Sequence, residues 1–134
     1  MDPLTNHILS LVKNGAFSAA IATAADFARR NPEKAVCYGL LAHAEEIAGY
    51  TKAAIQSVSQ AIALSPHEYG YLLQRCGIYI KANELAKALA DVDRIIEAGD
   101  TRYRDIAVNY RNEVLARLQQ QPQPTRNART LQFS

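Results

Sequence analysis

Long uncharged apolar runs are missing from this chain of 134 residues. None approaches the roughly 20 residues that a membrane-crossing helix needs, and residues 1–15 (MDPLTNHILSLVKNG) carry no basic leader. The expectation is a cytoplasmic protein with no place in a membrane. Cysteine is scarce. Cys37 and Cys76 lie far apart with no CxxC and no zinc spacing, which argues against a disulfide framework and predicts two half-buried, reduced thiols. An excess of one charge is also missing. A net charge of +2 is too small to draw nucleic acid or an anionic membrane.

Catalytic signatures are equally absent. The chain contains no GxSxG, Walker-type loop, GxGxxG or HExxH. His7, His43 and His67 are dispersed; His43 and Glu46 lie one helical turn apart, but two ligands are too few for a specific zinc site. Cys76 beside a histidine is the one conceivable nucleophilic pair. Asp91 and Asp93, two apart on a helix, point to different faces and read as solvated surface. No enzyme, metal or cofactor is expected.

What the chain does have is a period. Stepping by 34 residues without a gap gives Gly15, Gly49 and Asn83, then Ala20, Ala54 and Ala88, then Ile21, Ile55 and Leu89. Ala24, Val58 and Val92 follow, then Phe27, Ala61 and Ile95; Pro32, Pro66 and Asp100 close the units. Before the turns, Leu4, Tyr38 and Leu72 align, as do Ile8, Ala42, Cys76 and Tyr110. Glycine or asparagine suits a tight turn because a left-handed backbone costs little there. Alanine suits the closest approach of two helices. Proline just past a helix stops it. Each unit thus reads as helix, turn, helix, and 35–68 is its clearest copy. Asp2 and Pro3 look like a helix start, Thr51 and Asn83 like N-caps, and Gly99 like a terminator.

This pattern resembles the tetratricopeptide repeat. The resemblance implies an all-α fold, an α-solenoid of antiparallel helix hairpins: repeats at 1–34, 35–68 and 69–102, a capping helix at 103–120, and a flexible tail at 121–134. Some positions depart from the family. His7, Arg75 and Asn109 stand where it usually has leucine, and Glu45 and Glu113 where it often has an aromatic. On the last helix the expected apolar stripe is Ile106, Tyr110, Val114 and Leu118.

In the family, the first helices of successive hairpins line a concave groove. Carried over residue by residue, the implied partner-binding set is Leu9, Val12, Val36, Gly39, Leu40, His43, Leu73, Gln74, Gly77, Ile80 and Arg111, with Ala107 among further candidates. One branch grips a C-terminal carboxylate with cationic residues. Its positions correspond here to Thr5, Leu9, Leu40, Gly70 and Gln74, none positively charged, which disfavours that use. Gly39 and Gly77 fall inside helices, either to let a neighbouring helix close in or to deepen the groove.

The implied function is a non-enzymatic protein-interaction module. It would hold a protein or peptide partner's segment in an apolar groove, as an adaptor or small chaperone, similar to the three-repeat bacterial secretion chaperones. The alternative is an immunity or inhibitor protein that neutralises a cognate toxin or enzyme by direct binding. The tail, with Leu131 and Phe133 flanked by Arg126 and Arg129, is either without a role or a short docking segment.

Overall fold

The structure is a computed structural model that describes residues 2–121. The expected tail, apart from Gln121, lies outside the described residues. Among the described residues seven helices follow one another: α1 (Pro3–Lys13), α2 (Phe17–Arg30), α3 (Ala35–Ile47), α4 (Thr51–Leu64), α5 (Gly70–Lys81), α6 (Leu85–Ala98) and α7 (Arg104–Gln120). Each packs on its chain neighbours, and α1 also touches α3 as α5 touches α7. The chain is therefore an all-α stack of antiparallel hairpins, with the odd-numbered helices on one face.

One backbone device reverses the chain within every hairpin. Gly15, Gly49 and Asn83 adopt φ of 79°, 93° and 59°. Around them the N–H groups of Ala16, Tyr50 and Glu84 reach back to the carbonyls of Leu11, Glu45 and Tyr79, each at 2.8 Å. The N–H groups of the left-handed residues reach Val12, Glu46 and Ile80 at 3.0–3.1 Å. This is a Schellman closure in three copies, and it satisfies carbonyls that the end of a helix would otherwise leave unpaired. It also corrects two expectations. Asn83 is the left-handed residue and not an N-cap; Glu84 holds that place without a side-chain bond. Thr51 is already helical, behind Tyr50. Because the closing turn holds the start of the next helix through backbone bonds, a side-chain cap is not required there.

Asp2 caps α1 as expected, accepting from the backbone N–H of Leu4 at 2.9 Å and of Thr5 at 3.1 Å. Gly99 ends α6 at φ 72°. Asp100, where the first two repeats have proline, accepts from the N–H of Arg102 at 2.8 Å and of Tyr103 at 3.3 Å and so shapes the entry to α7.

The core is a chain of linked clusters between successive hairpins. Ala20, Ala24, Ala42, Ala44, Ala54, Ala61 and Ala88 are fully buried, as their place at close helix crossings requires. Toward the C-terminal end, Ile62, Leu72, Ile95 and Ala107 form one cluster and Cys76, Ile80, Leu85, Ala88, Val92 and Val114 another, so α7 covers apolar surface left by α5 and α6. On α7 the buried positions are Ala107 and Val114, while Ile106 is 47% exposed and leaves the expected stripe. Tyr110 and Leu118 flank the second cluster.

Both thiols are free but fully buried rather than half-buried. Burial raises the Cys37 pKa and pushes that of Cys76 up to about 12, which holds both as unreactive thiols. Asp91 is likewise no surface residue: it is 4% exposed. Arg75 donates to it twice, at 2.7 and 2.9 Å, and to Ser59 at 3.0 Å, which ties α4, α5 and α6 together. The leucine expected at position 75 is thus replaced by a partly buried ion pair, with Asp91 the buried member. Removing one member leaves the other charge uncompensated, whereas replacing both with apolar groups is often neutral. Asp91→Ala should cost about 3 kcal/mol, and Arg75→Leu combined with Asp91→Leu should regain most of it, as read from urea-denaturation midpoints.

Glu45, where the repeat often has an aromatic, accepts from the Ser57 hydroxyl at 2.6 Å. Burial raises its pKa above the ordinary 4.5, and the Ser57 bond offsets that only in part. The folded chain then holds this proton more tightly than the unfolded chain, so the group's contribution to stability falls as pH rises through the folded pKa. Glu45→Gln should therefore raise Tm at neutral pH and lose that advantage below about pH 4, in paired melts of variant and parent.

Candidate functional site

Among the described residues, two open clefts lie on the odd-helix face. The first, about 340 Å³, lies across α1, α3 and α5 and is lined by Leu9, Val36, Gly39, Leu40, His43, Tyr71 and Gln74. The second, about 390 Å³, lies between α5 and α7 and is lined by Gly77, Ile80, Lys81, Tyr110, Glu113 and Arg117. Two physical causes separate them. In the first, Tyr71 stands at the repeat position that Cys37 occupies one unit earlier. Its ring is too large for that buried slot and lies instead over Gly39. A methyl group on Gly39 would come within 2.8 Å of the Tyr71 ring. Beside it, the Gln74 side-chain amide donates to the Gly39 carbonyl at 2.9 Å, bridging α3 and α5. In the second, Gly77 leaves room: among the described residues a methyl there would meet only the Tyr110 hydroxyl oxygen, at 3.8 Å.

The clefts differ in charge. No charged side chain is among the residues lining the first, and burial raises the pKa of its Tyr71 phenol. The second has a charged rim. Lys81 pairs with Glu46 at 2.5 Å, and Arg117 with Glu113 at 2.8 Å.

Of the residues expected to line a groove, Leu9, Val36, Gly39, Leu40, His43 and Gln74 converge on the first cleft, and Gly77 and Ile80 on the second. Three do not. Val12 is buried with Ala20 and Ala44 because it faces α2 and α3. Leu73 packs against Ile62, Leu72, Ile95 and Ala107. Arg111 turns to α6, where it donates to Asp93 at 2.8 Å. Ala107 is fully buried. Thr5 is also buried and donates its hydroxyl to Asp2 at 2.6 Å. Tyr71, Tyr110, Glu113 and Arg117 were not anticipated as lining residues. For Tyr71 a signal existed: a large ring at the position of Cys37, matched by a glycine on the preceding first helix. Among the described residues no three His, Cys, Asp or Glu side chains are grouped to hold a metal ion.

No protein-family model matches the sequence, and no curated protein matches it either. Solved structures do. The yeast Sti1 TPR2B domain, in a complex with pHsp70, superposes with a TM-score of 0.74 at 16% identity, covering 87% of this chain and 99% of that one. The chain has the tetratricopeptide-repeat fold. The Yersinia enterocolitica type III secretion chaperone SycD, in complex with a peptide of the translocator YopD, gives 0.73 at 13% identity over 85% of this chain and 91% of that one. The first TPR of Spaghetti (RPAP3), bound to the HSP90 peptide SRMEEVD, gives 0.72 at 19% identity over 86% and 90%.

On this tetratricopeptide scaffold the two helix-interior glycines separate by geometry. Gly77→Ala should stabilise the protein by about 0.5–1 kcal/mol, the helix-propensity gain without a clash. Gly39→Ala should destabilise it by about 1–2 kcal/mol, because the Tyr71 ring must shift, and adding Tyr71→Leu should recover part of the loss. Thermal melts of the three variants check both signs.

Proposed function

We propose that this protein is a non-enzymatic binding module of the cytoplasm that holds an extended, apolar segment of a partner protein across its odd-helix face. The repeats through residue 120 form the binding unit in this reading. The observation that carries it is the first cleft. Seven residues from three successive first helices meet there around Leu9, Val36 and Leu40, with no lysine or arginine among them. Open pockets of a few hundred Å³ with apolar walls and few polar groups suit side chains of a bound segment. Part of the polar capacity is already spent, since the Gln74 amide donates to the Gly39 carbonyl. The similar folds supply precedent of the same kind: SycD is in complex with a peptide of the translocator YopD, and the RPAP3 domain is bound to the acidic peptide SRMEEVD. An acidic ligand needs cations, and Thr5, Leu9, Leu40, Gly70 and Gln74 provide none. An apolar segment is the better fit.

Capture of partners from the native cell with the full chain as bait tests this. Val36 is 43% exposed, so Val36→Glu should leave the circular dichroism spectrum unchanged. It should nevertheless weaken partner capture at least about tenfold, since a bound apolar segment would desolvate the new carboxylate. Lys52→Glu, on the exposed side of α4, should leave capture intact. The reverse pattern would overturn the groove reading and favour an inhibitor that binds through its outer surface.

A further inference from the structure

We propose that the joint between the second and third hairpins is a hinge, with Gln74 and Lys81 as straps that set the width of the first cleft. This names a regulation of the peptide groove proposed above and in that part rests on it; the hinge itself does not. On the odd-helix face α1 touches α3 and α5 touches α7, whereas the α3 and α5 backbones stay further apart. One repeat position, shared by Val12, Glu46 and Ile80, shows why. Val12 clusters with Ala44 of α3, and Ile80 with Val114 of α7, so those two seams close on apolar contacts. At the middle seam a carboxylate stands in that place. The Glu46 side chain is 16% exposed and pairs with Lys81 of α5 at 2.5 Å.

The α3/α5 seam is therefore bridged by side chains. The Gln74 amide donates to the Gly39 carbonyl at 2.9 Å, and the Tyr71 ring lies over Gly39. Gln74 and Lys81 lie about two helical turns apart, as do Gly39 and Glu46, so the straps run in parallel. Each is weak in water: one is an ion pair with an exposed lysine, the other a single hydrogen bond between neutral groups. Behind them the joint is firm. Ile78 packs with Ala42 and Val58, Leu72 with Ile62, and Arg75 donates to Ser59 of α4 at 3.0 Å. A buried pivot along α4 and α5, with releasable links at the rim, is the arrangement of a hinge. The first cleft straddles this seam, with Gly39, Leu40 and His43 on one wall and Tyr71 and Gln74 on the other. Its width follows the hinge, so a bulkier apolar segment seats by releasing the straps while the pivot holds.

Distances between paired nitroxides in the full chain, measured by electron–electron resonance with no partner present, test the hinge. Ala22, Gln56 and Ala90 share one exposed repeat position on the even-numbered helices, and the fully buried Cys37 and Cys76 take no label. Ala22→Cys with Gln56→Cys reads the first joint, and Gln56→Cys with Ala90→Cys reads the hinge. Removing both straps through Lys81→Glu and Gln74→Leu should widen the hinge distribution by about half or more and leave the first joint unchanged. Adding Glu46→Lys re-forms the ion pair and should narrow it again. An unchanged hinge distribution would overturn the proposal, as would equal widening at both joints or widening that persists with Glu46→Lys. If the charge-reversed chain does not fold, the parent decides: salt at about 1 M screens the exposed pair and should widen the hinge distribution alone, and no response to salt overturns the proposal. Because no partner takes part, failure here leaves the reading of the first cleft as a peptide groove standing.

Discussion

Everything in this molecule hangs on a reversal of the chain at one left-handed residue, repeated at a fixed interval. At Gly15, Gly49 and Asn83 the same pair of backbone bonds closes the first helix and launches the second. That closure sets the separation and direction of the two helices, and the fully buried alanines at 20, 54 and 88 let them approach. Repeating the geometry every 34 residues stacks the hairpins in one register, so all the first helices come to one face. A hairpin of two short helices buries too little apolar surface alone; stacking lets each cluster draw on three or four successive helices.

Against that regular frame, the clefts arise where side chains break the repeat. Tyr71 stands at the repeat position of Cys37, and its larger ring overhangs Gly39, which makes one wall of the first cleft. Gly77 has no side chain to fill the space before Tyr110, which opens the second. The first is apolar and the second charged at its rim, so one face carries two clefts of different chemistry. The same scaffold spends polar interactions elsewhere on alignment. Arg75 and Asp91 lock α5 to α6, and Glu68 accepts from the Tyr103 hydroxyl at 2.9 Å and from Arg102 at 3.0 Å, joining the α4–α5 loop to the start of α7. These contacts act across the joints where a solenoid would otherwise flex.

The legible part of the candidate site was the part that follows the repeat. Leu9 and His43 share one repeat position with Gly77, and all three line a cleft. Arg111 has the same position in α7 and does not, because no further hairpin follows α7 to hold it in the regular orientation among the described residues. It settles against α5 and α6 by burying Ala107 and Val114, and a long guanidinium then finds Asp93 on α6. Val12 and Leu73 were misplaced for a related reason: a helix position predicts a direction to within a quarter turn or so, and residues at the border between groove and core go where packing takes them.

By itself the sequence determined the period, the turns, the small residues at the helix crossings and hence the all-α stack, because these depend on backbone preferences and side-chain size at each position. It also placed most of the first cleft, since that follows from the stack. Tertiary structure alone decided the depth of Cys37, Cys76 and Asp91, the orientation of α7 and the overhang of Tyr71 on Gly39. Those depend on which groups meet across helices from different repeats. A position in the chain specifies a side chain's helix and approximate face, but its partner is set by the distance to a residue many positions away.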